Sequence, residues 1–513
     1  MVQTVYSLIA TESVHSYIWQ EEHTLDRNRS PVDQVPRNSE PKLYEQVAQQ
    51  IRAMIVDRVY RPGDRLPSVR ELSRQSNVSI TTVLDAYRLL EDAGLIHPRP
   101  QSGYYVHAYA NQRPPEPMRS APAPSPSHFT RDQMLQSMTH EVERPGLIDL
   151  AFANPNPDLL PLAKLARIIG AVARDHPEAS YGYGPPSGHR AIREQIAQRS
   201  FAAGAVISPD EVVITMGCQE AMCLVLRAVC TPGGVVAVES PCHYGVLQAI
   251  HLAGLKSLEV KTRTREGISL DALEAALTEQ EELGTPVQAC MVSPNFQNPL
   301  GSCMSDDDKR RLNAIANKHG VVLIEDDVYG DLCFEGARPR VLRAFEGGEN
   351  VVICSSFSKT IAPGYRVGWV VAGKWHGAIE RLKHSFTISA PSLPQLVIAE
   401  FLTDGGYDQY LRRARKAYAA NVGRMSQAIA RYFPPETRVT QPSGGYVLWV
   451  QLPEHIDSVA LYTKALAQNI FISSGVLFSV EDGYRNFIRL TAGKWSPEIE
   501  GAIAKLGRMI TQM

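Results

Sequence analysis

The sequence predicts an α/β protein built from a small helical domain and a larger sheet domain. Three observations lead to this prediction. A helical pattern with a short strand pair occupies the early part of the chain, a proline-rich segment follows it, and β-rich runs then alternate with helical patterns to the C-terminus. Such alternation is typical of a largely parallel sheet with helices on both faces. With 513 residues, the chain is also long enough for more than one domain.

The overall composition excludes several classes of protein. Hydrophobic residues make up 44% and charged residues 21% of the chain, as in ordinary globular proteins. A net charge of -2 excludes a generally basic surface, so any nucleic-acid surface must be local. The chain has no apolar run long enough for a membrane span and no signal-peptide pattern at its start, so we expect a cytoplasmic protein without membrane contact.

The cysteines favour a reduced, metal-free protein. All eight lie between Cys218 and Cys354, without C-x-x-C or zinc-type spacing. We therefore expect reduced and mostly buried thiols, and no metal site.

Shifts in composition divide the chain into four segments. Residues 1–39 are polar with weak periodicity and are predicted to be a disordered extension, and 40–108 form the first domain. Residues 109–145 include "NQRPPEPMRSAPAPSPS", which is typical of a semi-rigid linker. Residues 146–513 form the second domain.

The first domain has the pattern of a winged helix-turn-helix. "SVRELSRQS" begins with a capping-box signature, Ser68 and Glu71, and a second helical pattern follows in "ITTVLDAYRLLEDAG". In that second helix Val83, Tyr87 and Leu90 form an inward stripe. "LIHPRPQSGYYV" then predicts a two-stranded wing. A helix-turn-helix followed by such a ribbon is a DNA-reading arrangement.

Over roughly Lys42 to Val106 the sequence resembles the GntR regulators, most specifically in "GDRLPSVRELSRQSNVSITTV". The resemblance implies that double-stranded DNA is the partner. Ile80 stands where family members often carry arginine. The residues implied to contact phosphates or base edges are Arg65, Ser68, Arg70, Ser79, Thr81 and Thr82, with Arg99 and Gly103 on the minor-groove side. The alternative is that these are ordinary solvated residues of a small helical domain.

In the second domain, "SSFSKTIAPGYRVGW" places Lys359 just after a buried strand and seven residues before Arg366. A lysine that forms a Schiff base needs burial and nearby cations to lower its pKa. Arg366 can clamp a phosphate, and Ser356 and Ser358 can add hydroxyl donors. One alternative is a surface lysine. Another is the S-x-x-K motif of penicillin-binding enzymes, but its companion motifs S-D-N and K-T-G are absent.

Other motifs of this domain add residues suited to the same chemistry. "VVLIEDDVYGD" places Asp326 at a strand end, with Tyr329 three residues later, and "SPNFQNPLG" places Asn298 in a turn. A buried carboxylate keeps a pyridine nitrogen protonated, and an asparagine can hydrogen-bond a ring oxygen. "ITMGCQEAM" predicts a strand, a glycine turn and a helix start. Main-chain amides able to cradle a phosphate there belong to Gly217, Cys218 and Gln219.

Together these motifs resemble the fold-type I aminotransferases, which bind pyridoxal 5'-phosphate, over roughly Leu147 to Met513. The resemblance implies that Lys359 holds the cofactor, that Asp326 pairs with its ring nitrogen, and that Asn298 and Tyr329 hold its hydroxyl.

The same resemblance implies a site shared between two subunits. Tyr183 matches the tyrosine that reaches the partner subunit's phosphate, and Arg489 matches the arginine that binds the substrate carboxylate. His243 stands where a tyrosine or phenylalanine commonly stacks on the ring, and Asn154 replaces a common glycine beside the substrate.

One chain with both domains resembles the MocR subfamily of GntR regulators. This implies a homodimeric transcriptional regulator that binds an operator and senses pyridoxal 5'-phosphate or an amino compound. A second possibility is a working aminotransferase with a DNA-binding appendage. A third is a DNA-binding protein with a cofactor-free scaffold, which would be colourless.

Overall fold

The computed structural model describes residues 42–99, 102–107, 114–117, 144–481 and 483–513. The predicted N-terminal extension lies outside the described residues, as do most of the predicted linker and the two residues at the tip of the wing. No helix in the described ranges is long and apolar enough to cross a membrane.

The N-terminal domain contains three helices and a two-stranded antiparallel ribbon. Their bounds are α1 Leu43–Val56, α2 Val69–Gln75, α3 Ile80–Asp92, β1 Ile96–Arg99 and β2 Gly103–Val106. Val83, Tyr87 and Leu90 are buried, as the sequence pattern predicted. They pack with apolar residues of α1 and β2 into a small core of their own.

Side-chain caps fix the starts of α2 and α3. The Ser68 hydroxyl accepts a hydrogen bond from the Glu71 amide (3.3 Å), and the Ser79 hydroxyl accepts one from the Thr82 amide (3.1 Å). Each bond satisfies one of the amides that a helix start leaves unpaired. The turn between the two helices includes Asn77 with φ of 51°, a conformation that asparagine tolerates.

The large subdomain is centred on an eight-stranded sheet, with strand order β4-β11-β10-β9-β8-β5-β6-β7. Pairing is parallel from β10 through β6, whereas β7 and β11 run antiparallel to their neighbours. The predicted largely parallel sheet is therefore confirmed, with antiparallel strands at both edges. The strands are β4 Val212–Thr215, β5 Val235–Ser240, β6 Lys256–Arg263, β7 Gly267–Ile268, β8 Val287–Val292, β9 Val322–Asp326, β10 Val351–Ser356 and β11 Gly368–Val371.

Both faces of this sheet are covered, because alternate strand residues enter two different apolar cores. On β5, Val236 and Val238 join one core, and Val235 and Ala237 join the other. The helices around the sheet are α4 Leu162–Asp175, α5 Glu178–Tyr181, α6 Arg190–Ala202, α7 Cys218–Val229, α8 Tyr244–Leu252, α9 Leu270–Glu282, α10 Asp306–Lys318, α11 His376–Thr387 and α12 Ser392–Thr403. A helix of 27 residues, α13 (Gly406–Tyr432), leads to the small subdomain.

The small subdomain is built on a four-stranded sheet of order β12-β13-β16-β15, and a short parallel pair joins β3 to β14. Its elements are β3 Ile148–Asp149, β12 Arg438–Val439, β13 Val447–Gln451, α14 Ser458–Ala467, β14 Ile470–Phe471, β15 Ser473–Ser474, β16 Phe487–Thr491 and α15 Pro497–Thr511. Strand β16 carries Arg489 towards the large subdomain.

The described part of the linker contacts both subdomains through Glu116. One carboxylate oxygen pairs with Arg265 of the large subdomain (2.5 Å), and the other accepts from the Gln441 amide of the small one (3.2 Å). The Pro115 carbonyl accepts a further bond from the Val439 amide (2.9 Å). The linker therefore crosses the boundary between the two subdomains.

Candidate functional site

Lys359 follows β10 at the carboxyl edge of the large sheet. Its Nζ donates a hydrogen bond to the Ala153 carbonyl (2.7 Å). Burial is the main cause that lowers its pKa to about 8, and Arg489 adds to this, whereas Asp326 opposes it. A much larger share of this amine is therefore neutral near pH 7 than in an exposed lysine, and the neutral amine is the nucleophile.

Asp326 ends the neighbouring strand β9. Burial is the main cause that raises its pKa to about 6, Asp327 raises it further, and Lys359 lowers it. The Cys218 thiol lies 3.7 Å from Oδ1 of Asp326. At pH 7 the carboxylate is mainly charged, so it can hold a proton on a facing ring nitrogen.

A phosphate-sized cradle lies between the start of α7 and the turn after Lys359. Gly217 precedes α7 with φ of 84°, and a Cβ atom there would lie 2.5 Å from the Arg366 guanidinium. Arg366, itself at φ of 52°, donates to the Met216 carbonyl (2.9 Å) and lies 3.4 Å from the Ser358 hydroxyl. The start of α7, whose first amides lack partners within the helix, thus lies beside a guanidinium and a hydroxyl, and an anion site requires these three kinds of donor.

Two further predicted residues differ in what they can offer to this cradle. The Ser356 hydroxyl is buried and accepts a bond from the Ser358 amide (3.4 Å). The Gln219 side chain donates to the Gly245 carbonyl (2.8 Å), so this residue can offer only its main-chain amide to an anion in the cradle. The Cys218 thiol points to Asp326, which likewise leaves its main-chain amide as the donor.

Arg489 is a buried cation with no carboxylate partner among the described residues. It is 1% exposed, and its guanidinium donates to Asn298 Oδ1 (3.2 Å), the Ser473 hydroxyl (3.2 Å) and the Ala151 carbonyl. Its Nε has no hydrogen-bond partner in the described part of the chain. Its hydrogen-bond partners are all neutral, and Asp149 acts on it only from beyond ion-pair distance, so a counter-charge in direct contact would stabilise this buried cation.

Tyr329 and His243 line the same region. The Tyr329 hydroxyl is buried without a hydrogen-bond partner among the described residues. The Nδ1 atom of His243 accepts from the Gly245 amide (3.2 Å). Burial, with Arg489 and Lys359 nearby, holds the pKa of His243 well below its usual value, so the ring is neutral. A neutral imidazole can stack on an aromatic ring, as predicted for this position.

The two remaining predicted positions, Asn154 and Tyr183, are exposed in this single chain. Asn154 lies in the segment that also supplies the Ala153 carbonyl. Tyr183 is 84% exposed. Its role at the partner subunit's phosphate stays a prediction.

The predicted DNA contacts lie on one domain, but not all their polar groups are free. Arg65, Arg70 and Thr81 are exposed, although the Thr81 hydroxyl lies 2.7 Å from that of Ser79, and Arg99 lies over the Tyr105 ring, 4.3 Å from its centroid. Four other predicted positions are constrained. The Ser68 and Ser79 hydroxyls cap helices, Thr82 bonds to Ser79 (2.8 Å), and Gly103 (φ of 107°) approaches the Arg65 side chain.

The chain matches two families in the order that the geometry suggests. Residues 43–106 match the gntR family of bacterial regulatory proteins, and residues 148–506 match aminotransferase class I and II. The HTH-type transcriptional regulator YdcR of Escherichia coli K12 is 40% identical over 92% of this chain and 99% of its own length. YjiR, a second HTH-type regulator of that organism, is 38% identical over 87% and 94%. The chain belongs to the MocR-type GntR regulators.

Solved structures resemble the second domain of this MocR-type regulator. The α-aminoadipate aminotransferase LysN of Thermus thermophilus matches with a TM-score of 0.66 and 28% identity, over 75% of this chain and 99% of its own. The fold-type I architecture is thus confirmed, and the domain has the fold of a pyridoxal 5'-phosphate-dependent family.

The residues present fit pyridoxal 5'-phosphate. An amine with a lowered pKa, a carboxylate that is charged at pH 7 and an anion cradle surround one region, as a cofactor with an aldehyde, a ring nitrogen and a phosphate requires. The hydroxyl of Tyr329, which no described residue hydrogen-bonds, supplies a donor for a ring oxygen.

Sequence reasoning missed a buried ion pair behind the cradle. Lys383 of α11 is fully buried, and its Nζ donates to both carboxylate oxygens of Glu220 (3.1 and 2.9 Å) and to Thr387 (2.6 Å). Glu220 in turn accepts from the Met216 amide (2.7 Å), in the turn that precedes α7. No signal in the sequence distinguishes Lys383 from an ordinary lysine on an amphipathic helix.

Proposed function

We propose that this chain is a transcriptional regulator whose aminotransferase-like domain binds pyridoxal 5'-phosphate and senses the cofactor or an amino compound with a carboxylate. The DNA-binding domain would carry that signal to a double-stranded operator. The observation that carries the proposal is Arg489, a buried guanidinium without a carboxylate partner among the described residues, at the same site as Lys359.

The electrostatics of this site favour an anionic amino ligand. The guanidinium of Arg489 places a positive charge near Lys359 and lowers the pKa of that amine. A ligand carboxylate on Arg489 would supply the missing counter-charge, and it would lie near Lys359, whose lowered pKa favours the nucleophilic form of its amine. The site therefore suits an amine and a carboxylate on one small molecule.

When bound, pyridoxal 5'-phosphate supplies an aldehyde that links to amines and a ring that withdraws electrons. In this proposal Lys359 provides the amine, and Asp326 keeps the ring nitrogen protonated. Arg366, Ser358 and the amides at the start of α7 bind the phosphate. His243 covers one face of the ring.

We further propose a cytoplasmic homodimer. Tyr183 and Tyr181 are 84% and 83% exposed, which suits aromatic residues that pack against a second copy. Two copies would present two DNA-binding heads to a two-fold symmetric operator. The free, mostly buried cysteines suit a reducing compartment.

The names of similar proteins support both parts of this proposal, DNA binding and cofactor binding. YdcR and YjiR are named HTH-type transcriptional regulators over nearly their full length. The LysN structure contains N-(5'-phosphopyridoxyl)-L-leucine, a cofactor joined to an amino acid.

A working aminotransferase is the second candidate. The retained pair of Lys359, with pKa lowered to about 8, and Asp326, with pKa raised to about 6, favours it, because transamination needs a neutral amine and a charged carboxylate at neutral pH. Steady-state transamination with a panel of amino donors and oxo-acids separates it from pure sensing.

The proposed function is tested by operator binding. After genomic mapping of the binding sites, the affinity for a recovered duplex is measured for apo protein, for protein with pyridoxal 5'-phosphate, and for that form with L-glutamate or other amino acids. We expect affinity or bending to change with ligand, Lys359→Ala to abolish the cofactor response, and Arg489→Ala to abolish the amino-acid response. Identical DNA binding by every form, together with efficient transamination, would replace sensing by the enzyme candidate.

A further inference from the structure

Within the described residues, the DNA-binding head (42–107) contacts the aminotransferase-like body (144–513) where helix α3 ends. The Gln427 side chain, near the end of α13, donates to the carbonyls of Ala93 (3.1 Å) and Gly94 (3.3 Å), just after α3. Arg424, one turn earlier, lies 3.7 Å from Asp92. Helix α3 is the second helix of the helix-turn-helix, the one that enters the major groove in this class of motif. The body therefore holds the reading helix by its C-terminal end.

This contact is close and chemically matched. Gly94 has φ of 66°, and a methyl group there would overlap the Gln427 carboxamide. The Ala93 and Gly94 carbonyls follow the last residue of α3, at the negative end of the helix dipole, so an amide donor suits them. Asp92 is an acidic residue at the unfavourable end of α3, and Arg424 offsets its charge.

The same helix contacts the cofactor site less than three turns away. The Tyr418 hydroxyl accepts from the Asn156 amide (3.3 Å), and the Tyr418 ring packs on Tyr446, with centroids 4.7 Å apart. Tyr446 donates to the Ala153 carbonyl (3.2 Å), which also accepts from Lys359. On a helix, nine residues separate Tyr418 from Gln427 by about 14 Å.

A further hydrogen bond joins α13 to the segment that follows β16, the strand that carries Arg489. Asn421 donates to the Gly493 carbonyl (3.1 Å), four residues after Arg489. Helix α13 thus touches both sides of the site, the Ala153 segment and the segment after β16, before it reaches the head. A rigid helix transmits a displacement at one end to the other, because its backbone hydrogen bonds resist local deformation.

We propose that the end of α13 is the docking surface for the DNA-binding head, and that the state of Lys359 sets the docking. The second half rests on the proposed function. A ligand that engages Lys359 removes its bond to the Ala153 carbonyl, and the Tyr446 and Tyr418 contacts pass the change to α13. The orientation of α3 then depends on whether the site is filled.

Gln427→Glu is the variant that separates docking from folding. It places a carboxylate opposite two carbonyl oxygens and so opposes docking, and residue 427 contacts neither the cofactor site nor the head's own core. Gln409→Glu is the matched control, since Gln409 is an exposed glutamine on the same helix, far from the head. Both are made in the full chain, and circular dichroism checks that each folds.

Small-angle X-ray scattering on ligand-free protein tests the docking itself. We expect Gln427→Glu to have a larger radius of gyration and maximum dimension than the parent and Gln409→Glu. Equal scattering profiles for all three would overturn the docking surface, whatever the ligand does to DNA binding.

Operator affinity with and without pyridoxal 5'-phosphate tests the coupling. We expect the parent and Gln409→Glu to change affinity at least fivefold with the cofactor, and Gln427→Glu to change it less than twofold while it still binds the cofactor. A full cofactor response in Gln427→Glu would overturn the coupling. A parent that docks the head but ignores the cofactor would refute sensing of the cofactor itself, and the coupling with it, while the docking surface would stand.

Discussion

The pair of Lys383 and Glu220 gives a sharp test of what holds the phosphate cradle in place. We expect Lys383→Met to destabilise the aminotransferase-like domain, because it removes the cation and leaves the Glu220 carboxylate mostly buried. The Lys383 side chain is fully buried and that of Glu220 is 16% exposed. Removing one partner of a fully buried pair costs about 3–5 kcal/mol. Because Glu220 keeps its bonds from Met216 and Thr387, we expect about 2–3 kcal/mol.

Lys318→Met is the matched control for this prediction. Lys318 pairs with Glu274 at a similar distance, 2.6 Å, but the two side chains are 65% and 34% exposed. An exposed pair contributes little to stability, so the control is expected to leave the urea midpoint close to that of the parent. The comparison thus isolates burial, since residue type, substitution and pairing distance are nearly the same.

Tryptophan fluorescence during urea unfolding measures this effect in the right domain. Of the five tryptophans, four lie in residues 146–513 and none in residues 40–108. Since Glu220 also holds the Met216 amide beside the cradle, Lys383→Met is expected to weaken cofactor binding about three- to tenfold as well. Equal midpoints for Lys383→Met and the parent, or equal losses in both variants, would refute this reasoning.

Three further predictions follow from the site, the core and the DNA-binding head. The rate at which Lys359 captures pyridoxal 5'-phosphate, followed by visible absorbance, should rise with pH and level off above about pH 8, because its neutral form is the nucleophile. Burial raises the pKa of Glu239 to about 8, because the folded protein holds this carboxyl group in its neutral form. The protonated carboxyl group therefore favours the folded state at low pH, and this contribution is lost as pH rises through about 8. Glu239→Gln should therefore be more stable than the parent by about 2 kcal/mol at pH 9 but not at pH 5, as measured by urea unfolding. Arg70→Ala and Thr81→Ala should each weaken operator binding by about 1–3 kcal/mol without changing cofactor absorbance. Arg52 is exposed on α1, and Arg52→Ala should change operator binding little.

Each of these has a result that would contradict it. A capture rate that still climbs steeply at pH 10 would mean that Lys359 titrates like an exposed lysine. If the difference in the free energy of unfolding between Glu239→Gln and the parent did not change with pH, the pKa of Glu239 would not be raised. Equal operator affinity of Arg70→Ala, Thr81→Ala and the parent across a salt titration would remove them from the DNA interface.

Local patterns predicted much of the architecture. The apolar runs that became β4, β5, β8, β9 and β10 are short, rich in valine and isoleucine, and bounded by turn residues, so a local pattern is enough to identify them. The same holds for α3, where Val83, Tyr87 and Leu90 form the buried stripe. No local pattern predicts that β11, which lies between the edge strand β4 and β10, runs antiparallel to both, because strand direction depends on the path of the whole chain.

Some features of the candidate site are likewise encoded locally, whereas others depend on the fold. Lys359, Asp326 and Gly217 lie in motifs whose spacing is local, since each follows or precedes a strand at the carboxyl edge of the sheet. The partner of Cys218 is Asp326, 108 residues later, and that of Glu220 is Lys383, 163 residues later. No local pattern encodes contacts over such separations.

The sequence by itself determined the two domains, the order of their elements, the family and the residues that stand at each strand end, because periodicity, capping and turn chemistry act within a few residues. Only the tertiary structure decided that Arg489 is buried without a carboxylate partner in the described ranges, that Lys383 supports the cradle, and that Gln427 meets the end of α3. These facts depend on burial and on distances between segments far apart in the chain. Burial and distance are set by packing, and packing is decided only when the whole fold has formed.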